Sequence, residues 1–223
     1  RITGPIPLIY LKIRSDVESE INGMGPVIRK EDLELLYEQL DTLKDDDVLV
    51  LAGSIPAGMP QSIYRDIMSR LQSKRIKIAV DATKDLLMNV LAYHPFVIKP
   101  NNHELSEIFD IMIDSKEKAV VYAKELQKKG AQNVIVSMAG EGAVFVGSDG
   151  SVFISEAPHG VVKNSVGAGD SMVAGFLAGY LAKGDYAEAF KMGLCTGSAS
   201  AFSDQLATRE EVEQVRRSHI FDF

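Results

Sequence analysis

The chain has 223 residues, 46% hydrophobic and 25% charged, an ordinary globular composition long enough to bury a core of its own. Its formal net charge of −7 disfavours nucleic acid and anionic membranes as partners, so a phosphorylated ligand would have to be held by local cations and backbone donors. The single Cys195 leaves no disulfide to form within the sequence, reads as buried packing rather than a nucleophile, and suits a reducing, cytoplasmic setting.

In chain order, Lys12 to Asp16 and Glu18 to Asn22 read as short edge strands, with a turn of Gly23, Gly25 and Pro26 behind them. Leu33, Leu36, Leu40 and Leu43 recur at three and four residues and predict a helix from Lys30. Val48-Leu49-Val50-Leu51 is a continuous apolar run, as in a strand buried on both faces. Ile63, Ile67 and Leu71 predict the next helix, Ile76 to Val80 a strand, Leu86 to Leu91 a helix, Phe96 to Ile98 a strand and Asn102 to Phe109 a helix. Ala119, Ala123 and Leu126 mark another helix, and Val134 to Val136 another strand. Ala143 to Val146 and Val152 to Ile154 flank Gly147-Ser148-Asp149-Gly150 and read as a hairpin. Beyond Asp170 the chain is nearly all helical. Met172 to Ala182 is apolar but too short to span a bilayer, with Gly175 and Gly179 spaced for close helix packing, and Thr208 with Glu211 forms a capping box for the last helix. Strand and helix alternate, which predicts an α/β fold with a mostly parallel central sheet flanked by helices. In such sheets ligands sit at the carboxyl ends of the strands, and Gly53-Ser54, Asp81, Lys99 to Asn101 and Ser137 all follow strands there.

Most of the chemistry lies in Asn164-Ser165-Val166-Gly167-Ala168-Gly169-Asp170-Ser171-Met172. Its glycines let the backbone turn tightly against a ligand, and the helix starting behind them presents unpaired N–H groups and a positive dipole end, a place for phosphate. A carboxylate there repels phosphate, so Asp170 makes sense as a base taking a proton from an attacking hydroxyl, or as a metal contact; the plain alternative is a first-turn acid. Lys99, at a strand end, would be costly to bury unpaired, so a phosphate is a natural partner; a snorkelling surface lysine is the alternative. Asn101 and Glu104 have capping-box spacing, and a capped helix can still turn Glu104 towards a metal-bound water. Ser54 sits in a turn stiffened by Pro56 and Gly58. Asp81 is a secondary candidate that either faces phosphates or begins the following helix. The four histidines are scattered without zinc-site spacing, and neither a P-loop nor a G-x-G-x-x-G pattern is present.

Gly167-Ala168-Gly169-Asp170 resembles the GAGD signature of the ribokinase/PfkB family of sugar kinases, and Val166 to Gly175 is most similar to its 1-phosphofructokinase branch. Gly53-Ser54-Ile55-Pro56-Ala57-Gly58 resembles that branch's substrate-side turn, and Val97-Ile98-Lys99-Pro100-Asn101 with Glu104 its KPN..E segment. The resemblance runs in order from about Lys12 to Val215. It implies a ribokinase-like three-layer α/β/α fold, with residues 1–28 as part of a small β lid over the sugar and 29–223 as the nucleotide-binding domain.

The implied activity is ATP-dependent phosphorylation of D-fructose 1-phosphate to fructose 1,6-bisphosphate, with ATP and Mg²⁺ as cofactors and Asp170 as general base. The resemblance gives Gly167, Ala168 and Gly169 the role of an anion hole. The resemblance places Ser137, Gly140, Glu141, Gly142, Val166, Gly167, Gly169, Asp170 and Ser198 against the nucleotide, with Ala199 and Phe202 towards the adenine. It places Ser54, Lys99, Asp170 and Arg1 (in Arg1-Ile2, similar to a lid segment) against the sugar phosphate, and Glu104 and Asn101 against Mg²⁺ through water. Tagatose 6-phosphate or fructose 6-phosphate is the alternative substrate. The expected partners are the sugar phosphate and ATP, with neither nucleic acid nor membrane, and a homodimer through the β lid.

The chain departs from the family in two ways. Ala139 stands where glycine is common, with Gly140 one position on. The chain opens on Arg1, and the glycine-rich sugar segment and early substrate-binding Asp that precede this point in the family have no counterpart in it. A fragment, or an incompletely represented sequence, is the expectation, and a non-catalytic nucleotide-binding protein is the rival function.

Overall fold

Residues 10–13, 19–22, 28–56 and 58–223 are described by the computed structural model. Arg1, Ala57, and the turn of Gly23, Gly25 and Pro26 lie outside the described residues, as does most of the expected lid with its dimer contact. Within it, β1 (Tyr10–Ile13) and β2 (Ser19–Asn22) pair antiparallel as a small sheet of their own, close to the expected edge strands.

From Lys30 onward strands and helices alternate as the periodicity predicts. The order is α1 (Lys30–Asp41), β3 (Val48–Ala52), α2 (Ile63–Leu71), β4 (Lys77–Asp81), α3 (Lys84–Met88), β5 (Val97–Ile98), α4 (Asn102–Phe109), α5 (Lys116–Lys128) and β6 (Asn133–Ser137). The hairpin of β7 (Ala143–Val146) and β8 (Val152–Ser155) follows, then α6 (Ala168–Lys183), α7 (Tyr186–Phe202) and α8 (Arg209–Ser218). The main sheet runs β3-β4-β5-β6-β7-β8; β3 to β6 are parallel, and β7 and β8 return antiparallel. The helix expected at 86–91 begins and ends earlier. After α3 a 3₁₀ turn at Leu91–Tyr93 leads to His94 at φ +54 and then Pro95, which cannot continue a helix.

The side-chain period of two sorts the sheet into two faces. Ile78, Val80, Ile98, Val134, Val136 and Val144 join a core with Leu40, Ile67, Leu71, Leu105 and Leu126, on the side of α1 to α5. Ala79, Val97, Ile135 and Phe145 point the other way, into a core with Phe176 of α6 and Phe190 of α7. This is the three-layer arrangement expected. Each fully buried Phe or Leu in it contributes about 1.5–3 kcal/mol. In α6, Gly175 and Gly179 lie against α7 as their spacing predicts; a Cβ at Gly175 would come within 2.5 Å of Thr196 Oγ1. Cys195 is buried in α7, and burial pushes its thiol up to about 11, so it is packing and not a nucleophile.

One expectation fails. The apolar run of β3 is not buried on both faces: Leu51 is buried, but Val50 is 46% exposed. Among the described residues β4 is the only strand paired to β3, so β3 is a sheet edge. An apolar run reports what a strand can bury, not what covers it.

Candidate active site

The strand ends named from sequence do gather at one edge of the sheet. Gly53 N–H donates to Asp81 O at 3.2 Å, extending the β3–β4 ladder by one residue. Asn101 bridges to Ser137 in parallel, and Ser137 N–H donates to Pro100 O at 3.1 Å. Gly53-Ser54, Asp81, Lys99 to Asn101 and Ser137 therefore stand side by side, each at the end of a strand of the main sheet.

The first turn of α6 faces the same region. Gly167 has φ +79, a left-handed conformation that side-chain-bearing residues rarely adopt, and it swings the chain into the helix. The first i→i−4 bond is Ser171 N–H to Gly167 O, 2.8 Å. The N–H groups of Gly169 and Asp170 precede that bond and so have no intrahelical acceptor. Asp170 is exposed.

Lys99 ties this turn to the sheet. Its side chain is 8% exposed, which removes the snorkelling alternative, and its Nζ lies 3.3 Å from Asp81 Oδ2. A Cβ at Gly169 would sit 3.0 Å from that Nζ, so the ammonium lies directly beneath the helix start. The expected partner of Lys99 was a phosphate; the partner within the chain is a carboxylate. Burial pushes the Asp81 carboxyl above the usual carboxylate range, Lys99 opposes this, and the Asp170 carboxylate pushes it further up. The other displaced carboxylates among the described residues are all held low by hydrogen bonds. Asp81 is thus the one carboxylate among the described residues displaced upward by burial, and it stands at the edge where the other candidates gather. Sequence reasoning ranked it second; the available signal was its position at the ligand edge between two other candidates.

Asn101 and Glu104 form the capping box that their spacing allows: Glu104 N–H donates to Asn101 Oδ1 and Asn101 N–H to Glu104 Oε2, both at 2.8 Å. One Glu104 oxygen is therefore committed to starting α4. Ser54 is exposed in its turn. Beyond Ser137, Ala139–Glu141 make a 3₁₀ turn that ends at Gly142, with Gly140 and Glu141 exposed and Ala139 at φ +48.

Val161, Val162 and Leu206 were missed from sequence, whereas Val166 and Phe202 beside them were expected against the nucleotide. Lys163 N–H and Asn164 N–H both donate to Ala201 O, at 2.8 and 3.1 Å, which pins the loop before the glycine turn onto the end of α7. A Cβ at Gly160 would run into the Phe202 ring, so that ring lies against the loop. Outward from it stand Val161, 79% exposed, and Val162, 65% exposed, with Val166 and Leu206 also exposed. Leu206 Cδ2 would meet a Cβ on Gly167 at 2.7 Å, so this apolar shelf borders the glycine turn. Ser198 is half-buried one helical turn before Phe202. Exposed valines carry no sequence pattern that separates them from core valines.

Comparison with known proteins identifies the family. Residues 3–211 match the model of the pfkB family carbohydrate kinases. The chain is 44% identical over 207 residues to a 1-phosphofructokinase of Bacillus subtilis (strain 168), covering 93% of this chain and 68% of that one. It is 29% identical over 210 residues to a D-tagatose-1-phosphate kinase of Bacillus licheniformis, covering 94% and 69%. The crystal structure of phosphofructokinase-2 from Escherichia coli in complex with substrates and products superposes with a TM-score of 0.81 at 25% identity, covering 89% of this chain and 66% of that chain. The chain thus spans about two thirds of the length of these relatives.

Proposed function

The chain belongs to the pfkB family of carbohydrate kinases, whose phosphate donor is ATP, and on that premise we propose that its protein transfers the γ-phosphoryl group of ATP to the 6-hydroxyl of D-fructose 1-phosphate. The observation that carries this reading is the exposed Asp170 on the first turn of α6, above the buried Lys99 and its partner Asp81. Asp170 takes the proton of the sugar O6 as the O6–P bond forms and the bond from Pγ to the ADP oxygen breaks. The N–H groups of Gly169 and Asp170, with the turn of Gly167 and Ala168, bind the charge that grows on the transferred group. Lys99 lies close enough to that turn to share this load. Ser54 and Lys99 face the sugar substrate, Ser54 at its phosphate and Lys99 at the end that receives the phosphoryl group. Ser137, Gly140, Glu141, Gly142 and Ser198 line the nucleotide, and the shelf of Val161, Val162, Val166 and Leu206 offers its adenine an apolar face.

Among the described residues no three acidic, histidine or cysteine side chains converge into a metal cage. Hard oxygen donors at the ligand edge, without a cage, fit Mg²⁺, which keeps most of its waters and leans on substrate phosphates. Asp81, Glu104 and Asn101 would hold that hydrated ion, and the ion when bound neutralises the β- and γ-phosphates. A homodimer is the proposed assembly.

A second substrate, D-tagatose 1-phosphate, is favoured by the Bacillus licheniformis relative; fructose 6-phosphate is favoured by a crystal structure of the Escherichia coli phosphofructokinase-2 in complex with it. The test is turnover of the purified protein with ATP and a panel of fructose and tagatose 1- and 6-phosphates, beside Asp170→Asn. The variant should lose roughly 10²–10⁴-fold in kcat while its ATP affinity stays within about threefold. Wild-type kcat in the variant would make Asp170 a helix-start residue only, and a preference for the 6-phosphates would overturn the substrate.

A further inference from the structure

We propose that Tyr64 is the positioning residue of the substrate-side turn: its phenol fixes where Ser54 stands and so sets the affinity for the sugar phosphate. The inference rests on the reading of that turn as substrate-binding. Tyr64 lies in the first turn of α2, between Ile63 and Ile67, both of which are buried. Its ring packs against the core beside them, but its hydroxyl leaves the core and reaches back to β3. There it donates to Ala52 O at 2.7 Å and shares the same proton with Gly53 O at 3.1 Å. These carbonyls belong to the residues at and just past the end of β3, where ladder partners run out and a backbone acceptor needs another donor.

Gly53 is consequently held on both sides, its N–H by Asp81 O at 3.2 Å and its C=O by the phenol. Ser54 is the next residue, exposed at the ligand edge. Burial, and then the Asp81 carboxylate, push the phenol above its ordinary value of 10, so its proton stays available at working pH. A donor to solvent-accessible carbonyls adds little to stability, because water can replace it. What water cannot replace is direction, and misplacing a contact group weakens binding without any loss of fold.

The experiment is a double-mutant cycle of Tyr64→Phe and Ser54→Ala in the protein carrying this chain, read by steady-state kinetics with ATP and fructose 1-phosphate. Tyr64→Phe keeps the ring and removes only the hydroxyl. It should raise the sugar-phosphate KM about three- to tenfold, the worth of one hydrogen bond, and leave kcat and nucleotide affinity within about twofold. In the Ser54→Ala background the same change should cost much less, because the two act through one turn. Hydrogen exchange at the amides of residues 53–55 should quicken by a similar factor in Tyr64→Phe. An unchanged KM, an equal effect in both backgrounds, or equal losses for sugar and nucleotide would overturn the proposal. Absence of wild-type turnover on every ketohexose phosphate would instead overturn the proposed function and with it the substrate half of this inference. Unchanged exchange at the turn would still overturn the tether by itself.

Discussion

Ala139 stands at φ +48, in the left-handed region that costs an L-residue roughly 1–2 kcal/mol. The resemblance gives glycine at this position, and the backbone shows what a glycine would relieve: a 3₁₀ turn beside the proposed nucleotide contacts Gly140, Glu141 and Gly142. Ala139 is exposed, so replacing it loses no packing. Ala139→Gly should relieve the strain and return part of the gain as extra unfolded-chain entropy, for a net stabilisation of about 0.5–1 kcal/mol. In a chain of this size that is a rise of roughly 1–4 °C in melting temperature by calorimetry, and a fall would mean the turn is unstrained. The departure was legible in the sequence; its sign was not, because φ is not written in composition. Lys99 makes the same point. Its place at a strand end was foreseeable and its burial was one of two readings, but its partner Asp81 was not foreseen, since a pair across neighbouring strands depends on register.

The helix that carries Asp170 is held by its neighbours through a short chain of hydroxyls. Ser200 of α7, 2% exposed, donates to Ser171 Oγ on the first turn of α6 at 2.9 Å, and accepts from Ala207 N–H, just ahead of α8, at 3.1 Å. Ser203 bonds Ala199 O and the Glu211 carboxylate, which also closes the capping box with Thr208. The ends of three helices thus meet at the buried hydroxyls of Ser171, Ser200 and Ser203. Ser200→Ala takes away a partner from two groups with little access to water and should cost about 1–3 kcal/mol. Urea unfolding should show a lower midpoint with an unchanged slope; a midpoint within error of wild type would show that these groups find other partners. The helices themselves were readable from three-and-four periodicity, and the Thr208–Glu211 cap from its spacing. The link through Ser200 was not readable, because a small residue among Gly, Ala and Thr in α7 is indistinguishable from helix-packing filler.

Across the whole molecule, charge is arranged so that acid and neutral pH test different parts. Asp41, held by its side-chain hydrogen bond to Arg70, Asp45 by the Arg75 backbone, Asp114 by Lys118, and Glu211 by the Thr208 backbone all titrate below their ordinary values of 3.8 to 4.5. Each contributes stability that is present above the ordinary value and lost as pH falls through the lowered one, so this loss belongs to strongly acid solution. His219 works in a separate window. It follows α8 and meets the Phe221 ring edge-on at 4.6 Å, and Phe223 beyond it stacks on Phe153 at 4.9 Å, so the last residues lie against the outer edge of the sheet. Burial lowers the His219 value from its ordinary 6.5, His159 lowers it further, and Asp222 opposes both. Well above pH 6.5 the ring is neutral in folded and unfolded chains alike. As pH falls, the unfolded chain takes the proton first, so stability is lost through the folded value and the loss is then complete. Melting temperature should therefore begin to fall just below pH 6.5, well before the carboxylates titrate. His219→Gln should flatten that first step and leave the strongly acid loss in place. Melts of both proteins at half-unit intervals from pH 7.5 to 3 decide it: parallel curves between pH 6.5 and 5 would show that the protonated ring is accommodated where it lies.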